Sequence, residues 1–153
     1  MNVQLIAHTQ LSDAFYQSLE TDYWMESSDG QAIALTAIRT CYSANKPSEI
    51  LDKEGEKYYD KKATDGGTGT DADRLIRHIV NSGHSSTTEH VSFTFAIEKV
   101  SRSLLAQLTR HRAGFSFSVQ SQRYVKLGSG DKSGGFDYVI PDNIKDFKKT
   151  LQR

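Results

Sequence analysis

The chain has 153 residues, with 19 Lys and Arg set against 19 Asp and Glu, so its formal net charge at pH 7 is zero. That length suits one domain, 1–153, with a hydrophobic core, and the charge balance excludes a general nucleic-acid binder, whose whole surface should be basic. A single cysteine, Cys41, excludes a disulfide framework and a Cys-x-x-Cys redox pair. No basic leader with an apolar core opens the sequence, and no apolar run reaches the length of a membrane span, so a cytoplasmic protein is expected.

In chain order, Asn2 to His8 alternates as a first strand, with Val3 and Leu5 on one face. Gln31 to Tyr42 reads as a helix. Asp29 is placed to cap it, and Ile33, Ala34, Ala37, Ile38 and Cys41 fall on or near one stripe. From Ser43 to Thr70 the chain is polar and charged, with some helical pattern around Glu49 to Lys61, and it ends in Gly66-Gly67-Thr68-Gly69-Thr70. The expectation for 43–70 is a flexible loop, a lid or an insertion. Asp71 to Asn81 returns to a helical pattern with Leu75, Ile76, Ile79 and Val80 apolar.

Val91 to Val100 is the best strand, with Val91, Phe93, Phe95 and Ile97 alternating against Ser92, Thr94 and Ala96. Ser101 caps a helix that turns Leu104, Leu105 and Leu108 inward and carries Gln107, Arg110 and His111 on one face. Gly114 breaks that pattern, and Phe115 to Val119 reads as a loop or extended arm. Tyr124 to Leu127 reads as a short strand and Gly128 to Gly135 as a glycine-rich connection. Phe136-Asp137-Tyr138-Val139-Ile140-Pro141 leads into a further element. Asn143 to Arg153 starts a basic helix with no visible terminator, which reads as part of a longer protein. The fold class is α/β (α+β), an antiparallel or mixed sheet with flanking helices.

The chemistry concentrates in Arg110-His111-Arg112 and, downstream, Ser121-Gln122-Arg123-Tyr124. Guanidinium groups present planar, forked donors suited to phosphate or to a carbonyl-rich ring edge. His111 can stack on an aromatic ligand or donate a hydrogen bond, and Ser116, Ser118 and Ser121 add small donors. Three readings stand: a site for a small anion, a solvated charge cluster favoured by a helix C-terminus, or an internal salt-bridge network. Glu89-His90 lacks the further ligands a metal site requires, so no metal is expected. The run from Gly66 to Thr70 lacks the phosphate-loop pattern. Cys41, in an apolar stripe with no cationic partner in sequence, is a poor attacking thiolate.

Arg110-His111-Arg112, the serine-rich arm and Ser121-Gln122-Arg123-Tyr124 together resemble the signature of the flavin-dependent thymidylate synthases. Gly83-His84-Ser85-Ser86-Thr87-Thr88-Glu89-His90, followed by Phe93-Thr94-Phe95, resembles that family's His-x-Ser/Thr-x-x-Glu-His block. Ala37-Ile38-Arg39-Thr40-Cys41-Tyr42 resembles its early Ala-x-Arg-x-Ser/Cys element, and Tyr138-Val139-Ile140-Pro141 fits as well.

The resemblance implies FAD-dependent methylation of dUMP to dTMP, with methylenetetrahydrofolate as carbon donor and NADPH as reductant. It also implies a homotetramer with shared active sites and no nucleic-acid or membrane partner. Residue by residue, it implies flavin contacts at Ser86, Glu89, Arg110, His111, Arg112 and Val119. Nucleotide contacts are implied at Gln107, Leu108, Thr109, Arg110, Val119, Gln120, Ser121, Gln122 and Arg123, and catalytic roles at Ser121, Arg110 and His84. Two departures stand out. The interval from Arg112 to Ser121 is one residue longer than the family's, an addition that a loop at Ala113-Gly114 would absorb. The family's C-terminal part, with its late arginine-rich helix, has no match in this sequence, so the fold is expected to be C-terminally truncated. The alternative is a non-catalytic flavin- or nucleotide-binding domain, or an inactive fragment.

Overall fold

The computed structural model of the chain describes residues 1–22, 25, 27–121, 123 and 124. Its elements run β1 (Asn2–His8), α1 (Asp13–Ser18), α2 (Asp29–Tyr42), a 3-10 turn (Pro47–Glu49), α3 (Ile50–Tyr59) and α4 (Asp71–Asn81). A second 3-10 turn (Ser85–Thr88), β2 (Phe93–Glu98) and α5 (Arg102–Leu108) follow. The α+β class expected from the sequence is the class found, with β1 and β2 paired antiparallel in a two-stranded sheet. The chain divides into two compact units, one of Leu5–Phe95 and one of Met1–Gln4 with the chain from Ala96 onward. Of the strand expected at 124–127, only Tyr124 is described, and it sits in a turn. The glycine-rich connection, Tyr138–Pro141 and the basic helix at 143–153 lie outside the described residues.

The core belongs to the Leu5–Phe95 unit and is organised around α2. Ser28, rather than Asp29, caps this helix: Gln31 N–H donates to Ser28 Oγ at 3.3 Å, and Ser28 N–H donates to Gln31 Oε1 at 2.9 Å. These reciprocal bonds satisfy two donors that a bare helix end would leave unpaired. Asp29, freed from capping, accepts from Leu11 N–H at 3.0 Å and from the Tyr16 hydroxyl at 2.5 Å. Those bonds tie down α1, a short helix the sequence reading did not anticipate, itself capped by Ser12. Phe15 from this helix, with Leu11 before it and Leu19 after it, packs against the core.

The buried face of α2 is Ala32, Ala34, Leu35 and Ile38. The stripe expected through Ile33, Ala37 and Cys41 is therefore rotated: Ile33 and Ala37 are half-buried and Cys41 is exposed. A helix with apolar residues on two adjacent faces leaves the choice of inward face to its partners. Here α3 and α4 take the side of Leu35, where Leu51, Tyr58, Tyr59 and Ala72 meet Ala32 and Leu35.

The segment 43–70, expected as a flexible loop, lid or insertion with some helical pattern, contains α3. Ile50, Leu51, Tyr58 and Tyr59 are buried along one side of that helix. Its Glu54 side chain, almost fully covered, accepts from Arg39 Nε at 2.6 Å, from Asn45 Nδ2 at 2.9 Å and from the Ser43 hydroxyl. Arg39 also lies over the Tyr58 ring, 5.7 Å from its centroid. Burial pushes the Glu54 carboxyl up, but the hydrogen bonds from Ser43, Asn45 and Arg39 outweigh it and hold the group below its ordinary value.

The glycine run at the end of this segment forms the approach to α4. Asp73 accepts from Thr70 N–H at 2.7 Å, closing the helix start, and Thr70 bridges back to Lys62. Arg77 reaches from α4 to hold the run, donating to both Asp65 carboxylate oxygens (3.0 and 2.8 Å) and to the Thr68 carbonyl (3.1 Å). That guanidinium keeps the Asp65 carboxyl down at about 2. Gly69 is required twice over: its φ is 87°, and a Cβ there would overlap the Asp73 carboxylate.

In the other unit, α5 begins as expected, with Ser101 Oγ accepting from Leu104 N–H at 3.1 Å. Its leucines are not turned into a core among the described residues: Leu104 is exposed, and Leu105 and Leu108 are half-buried. The strand alternation is present from Phe93 to Ile97, yet Phe93, Phe95 and Ile97 on β2 and Val3 and Leu5 on β1 are all exposed. Two strands cannot cover their own apolar face, which requires a further layer.

Three outcomes test these assignments. Gly69→Ala should lower stability by about 2–4 kcal/mol, combining backbone strain with the clash. Gly66→Ala, at φ 79° with open space around it, should cost about 1–2 kcal/mol; equal losses in urea denaturation would contradict the close approach to Asp73. Removing Glu54's main cationic partner with Arg39→Ala should cost about 2–3 kcal/mol at pH 7. Because Glu54's folded value lies below its unfolded one, its contribution is complete above the ordinary Glu value of about 4.3 and fades as pH falls through the folded value. The stability difference between the native chain and Glu54→Gln should therefore shrink on acidification, and a gap that widened would refute the latch.

Candidate functional site

The expected site residues fall into two groups, one in each unit. In the Leu5–Phe95 unit, the end of α4 delivers His84. Gly83 N–H donates to the Val80 carbonyl at 3.0 Å and His84 N–H to the Ile79 carbonyl at 3.2 Å, the bond pair of a Schellman termination. Gly83 takes φ 83°, which a side chain would strain, so the glycine before His84 is set by how the helix must end. The next residues form the 3-10 turn, anchored by Thr87, which is buried and donates through its hydroxyl to the His84 carbonyl at 3.1 Å. Glu89 closes the turn through its N–H to the Ser86 carbonyl at 3.3 Å. Ser86 and Glu89 are left exposed, and His84 is half-buried.

Two features of this group were not legible beforehand. The Tyr42 hydroxyl lies 2.9 Å from His84 Nδ1, with the rings edge-on at 6.0 Å and 86°. Among the described residues, Nε2 has no hydrogen-bond partner. Beside this pair, α2 and the 3-10 turn enclose an open groove of about 430 Å³ lined by Thr36, Ala37, Cys41, Ser86, Thr87 and His90, among others. The Thr36 hydroxyl is buried there without a hydrogen-bond partner. This groove is where the α2 face of Ile33 and Ala37 looks, which accounts for the rotated stripe. Cys41 is thus at the groove rather than in the core. Its thiol donates to the Ala37 carbonyl at 3.6 Å, and no cation pairs with it among the described residues.

In the second unit, α5 stops at Leu108, so Gln107, Arg110 and His111 do not share a helical face as expected. Arg110 N–H donates to the Gln107 carbonyl at 3.2 Å and His111 N–H to that of Leu108 at 3.1 Å, tightening the last turn, while the Thr109 hydroxyl donates back to Leu105. Arg112 and Phe115 close the next turn through Ala113 and Gly114, at a φ of 75° for the glycine. Beyond it runs an arm without regular structure, as expected, in which the rings of Phe115 and Phe117 stack at 6.1 Å and His111 meets Phe115 edge-on at 6.5 Å. The Arg102 guanidinium donates to the Gln120 carbonyl at 2.8 Å and ties the far end of the arm to the start of α5. Ser121 Oγ accepts from Arg123 N–H at 3.2 Å, and Val119 is exposed. Gln122 lies outside the described residues.

Arg110, His111 and Arg112 are all exposed, and neither guanidinium has a carboxylate partner among the described residues. Arg39, Arg74 and Arg77, by contrast, are each committed to an acid. An internal salt-bridge network therefore does not account for the triplet within the described residues. Two unpaired guanidiniums two positions apart can grip one polyanionic ligand by forked hydrogen bonds. No three His, Cys, Asp or Glu side chains gather as a metal site among the described residues.

Comparison with known proteins shows the family of the chain. The family model described as thymidylate synthase complementing protein matches residues 22–153. A flavin-dependent thymidylate synthase of Nitratidesulfovibrio vulgaris is 43% identical over 115 residues, covering 74% of this chain and 40% of that protein. One of Mycolicibacterium vanbaalenii is 36% identical over 153 residues, covering 99% of this chain and 50% of that protein. One of Mycobacterium marinum is 33% identical over 147 residues, covering 95% and 47%. The chain spans half or less of the length of these relatives. With a family model covering most of its length and these relatives agreeing along it, the chain belongs to the thymidylate synthase complementing protein family.

Proposed function

We propose that this chain carries FAD- and nucleotide-binding parts of an enzyme that methylates dUMP to dTMP, taking the carbon from methylenetetrahydrofolate and electrons from NADPH. The observation that carries the reading is the exposed pair Arg110 and Arg112, without carboxylate partners among the described residues, in a family whose relatives are named flavin-dependent. Within each unit the donors suit such a cofactor: two guanidiniums without carboxylate partners among the described residues suit a diphosphate, and the Ser86 hydroxyl at the α2 groove suits a polar ligand edge.

In this reading Ser86, Glu89, His111 and Val119 join Arg110 and Arg112 as flavin contacts. Gln107, Leu108, Thr109, Arg110, Val119, Gln120, Ser121, Gln122 and Arg123 contact the nucleotide. Bound flavin would supply the hydride, chemistry that no side chain can perform. The chain's own residues bind, orient and polarise. Arg123 neutralises the nucleotide phosphate, Ser121 donates to the nucleotide, and Arg110 favours negative charge developing on the uracil ring. His84 offers a ring N–H to the flavin side. No protein nucleophile is needed, and Cys41, without a cation beside it among the described residues, is not assigned as one. A cytoplasmic homotetramer with shared sites completes the proposal. The second reading is a flavin- or nucleotide-binding domain without turnover.

The test is calorimetry with FAD and dUMP on the native chain and two variants. Arg112→Ala should weaken FAD binding about 10-fold or more, the scale of one lost charge-assisted hydrogen bond, and leave dUMP binding close to native. Arg123→Ala should do the reverse. Equal loss of both ligands in either variant would overturn the division of roles, and a native chain that binds neither would overturn the proposal.

A further inference from the structure

We propose that Tyr42 is a positioning residue for His84: its hydroxyl donates to Nδ1, holds the ring proton on Nε2 and leaves Nε2–H as the ring's free donor. The proposal rests on the reading above that places His84 beside the flavin.

The geometry comes from both sides of the pair. His84 is held at its backbone by the termination of α4 and by Thr87, so only its ring is free to turn. Tyr42 ends α2, and the next residue, Ser43, is pinned by its N–H to the Arg39 carbonyl at 2.7 Å and by its hydroxyl to Glu54. The Tyr42 hydroxyl then meets Nδ1 at 2.9 Å with the two rings edge-on at 86°. Tyr42 is 57% exposed, so packing alone does not hold its ring there.

Two proton arrangements satisfy that distance: phenol O–H to Nδ1, or Nδ1–H to the phenol oxygen. A phenol is the better donor, because its oxygen lone pair is drawn into the ring, and neutral imidazole nitrogen is a strong acceptor. Donation from Tyr42 to Nδ1 therefore sets the tautomer, in the way a second hydrogen bond fixes a histidine elsewhere. Nε2, which has no partner among the described residues, carries the N–H.

The test reads the ring directly. In a long-range proton–nitrogen correlation spectrum of ¹⁵N-histidine-labelled protein, recorded on the alkaline plateau where the ring signals no longer move with pH, His84 should appear as one tautomer with Nδ1 unprotonated. Its signal is assigned by its loss in His84→Gln. In Tyr42→Phe, which keeps the ring and should keep the melting temperature, the Nδ1 signal should move toward the position of mixed tautomers. His8, His78, His90 and His111 should stay in place. A native His84 already in mixed tautomers, or one that Tyr42→Phe does not move, would overturn the proposal.

FAD calorimetry supplies the second arm. Tyr42→Phe should weaken FAD binding severalfold in the native background and have no further effect in His84→Gln, since it acts through that ring. Equal weakening in both backgrounds would overturn the positioning role. If His84→Gln itself leaves FAD binding unchanged, the placement of His84 beside the flavin falls, and the spectrum alone then supports or overturns the Tyr42–His84 pair.

Discussion

One carboxylate holds the larger unit together. Glu54 projects from α3 into a nearly covered position, which would be costly for a lone charge. It is tolerable because Arg39, Ser43 and Asn45 all donate to it from the end of α2 and the residues just after it. The contact sets where α3 sits against α2, lets Leu51, Tyr58 and Tyr59 close over Ala32 and Leu35, and fixes the point at which α2 stops. It adds a directional contact to the apolar packing of Ile50, Leu51, Tyr58 and Tyr59.

The consequences reach the candidate site because α2 has two working faces. One carries Ala32, Leu35 and Ile38 into the core, and the other lines the groove with Thr36, Ala37 and Cys41. Its last residue, Tyr42, touches His84. The other side of that contact is built by α4, whose start is closed by Asp73 and whose end delivers His84 through Gly83. The start is set by a side-chain cap and the end by backbone hydrogen bonds, so the histidine's place follows from local rules while its partner's place follows from the Glu54 contact. In the other unit, Arg102 plays an equivalent part by tying the Gln120 end of the arm back to α5.

What the sequence made legible was whatever depends on near neighbours. Ser101 as a cap, the alternation from Phe93 to Ile97, the helix at Asp71–Asn81 and the irregular arm after Gly114 all rest on contacts within a few residues. A helical pattern around Glu49 to Lys61 was legible, but not that α3 joins the core, because its buried positions are interleaved with Asp, Lys and Glu and the partner of Glu54 lies 15 residues back at Arg39. The inward face of α2 could not be chosen from a helix apolar on two sides. The segment Ala37 to Tyr42 showed a weaker family likeness and not the division of labour within it: Ile38 in the core, Arg39 on Glu54, Cys41 at the groove and Tyr42 on His84. The charge of Arg110-His111-Arg112 was plain. That α5 ends before it, leaving the triplet on a turn, was hidden because nothing between Gln107 and Arg112 forbids another helical turn.

The central claim is that α2 links a structural latch on one side to a ligand-facing edge on the other. Hydrogen–deuterium exchange of the chain with and without saturating FAD tests this most directly. The account expects FAD to slow exchange in residues 84–90 and 109–112, with α3 already protected in both states by its packing. FAD binding that left 84–90 and 109–112 unchanged while slowing exchange in α3 would contradict it.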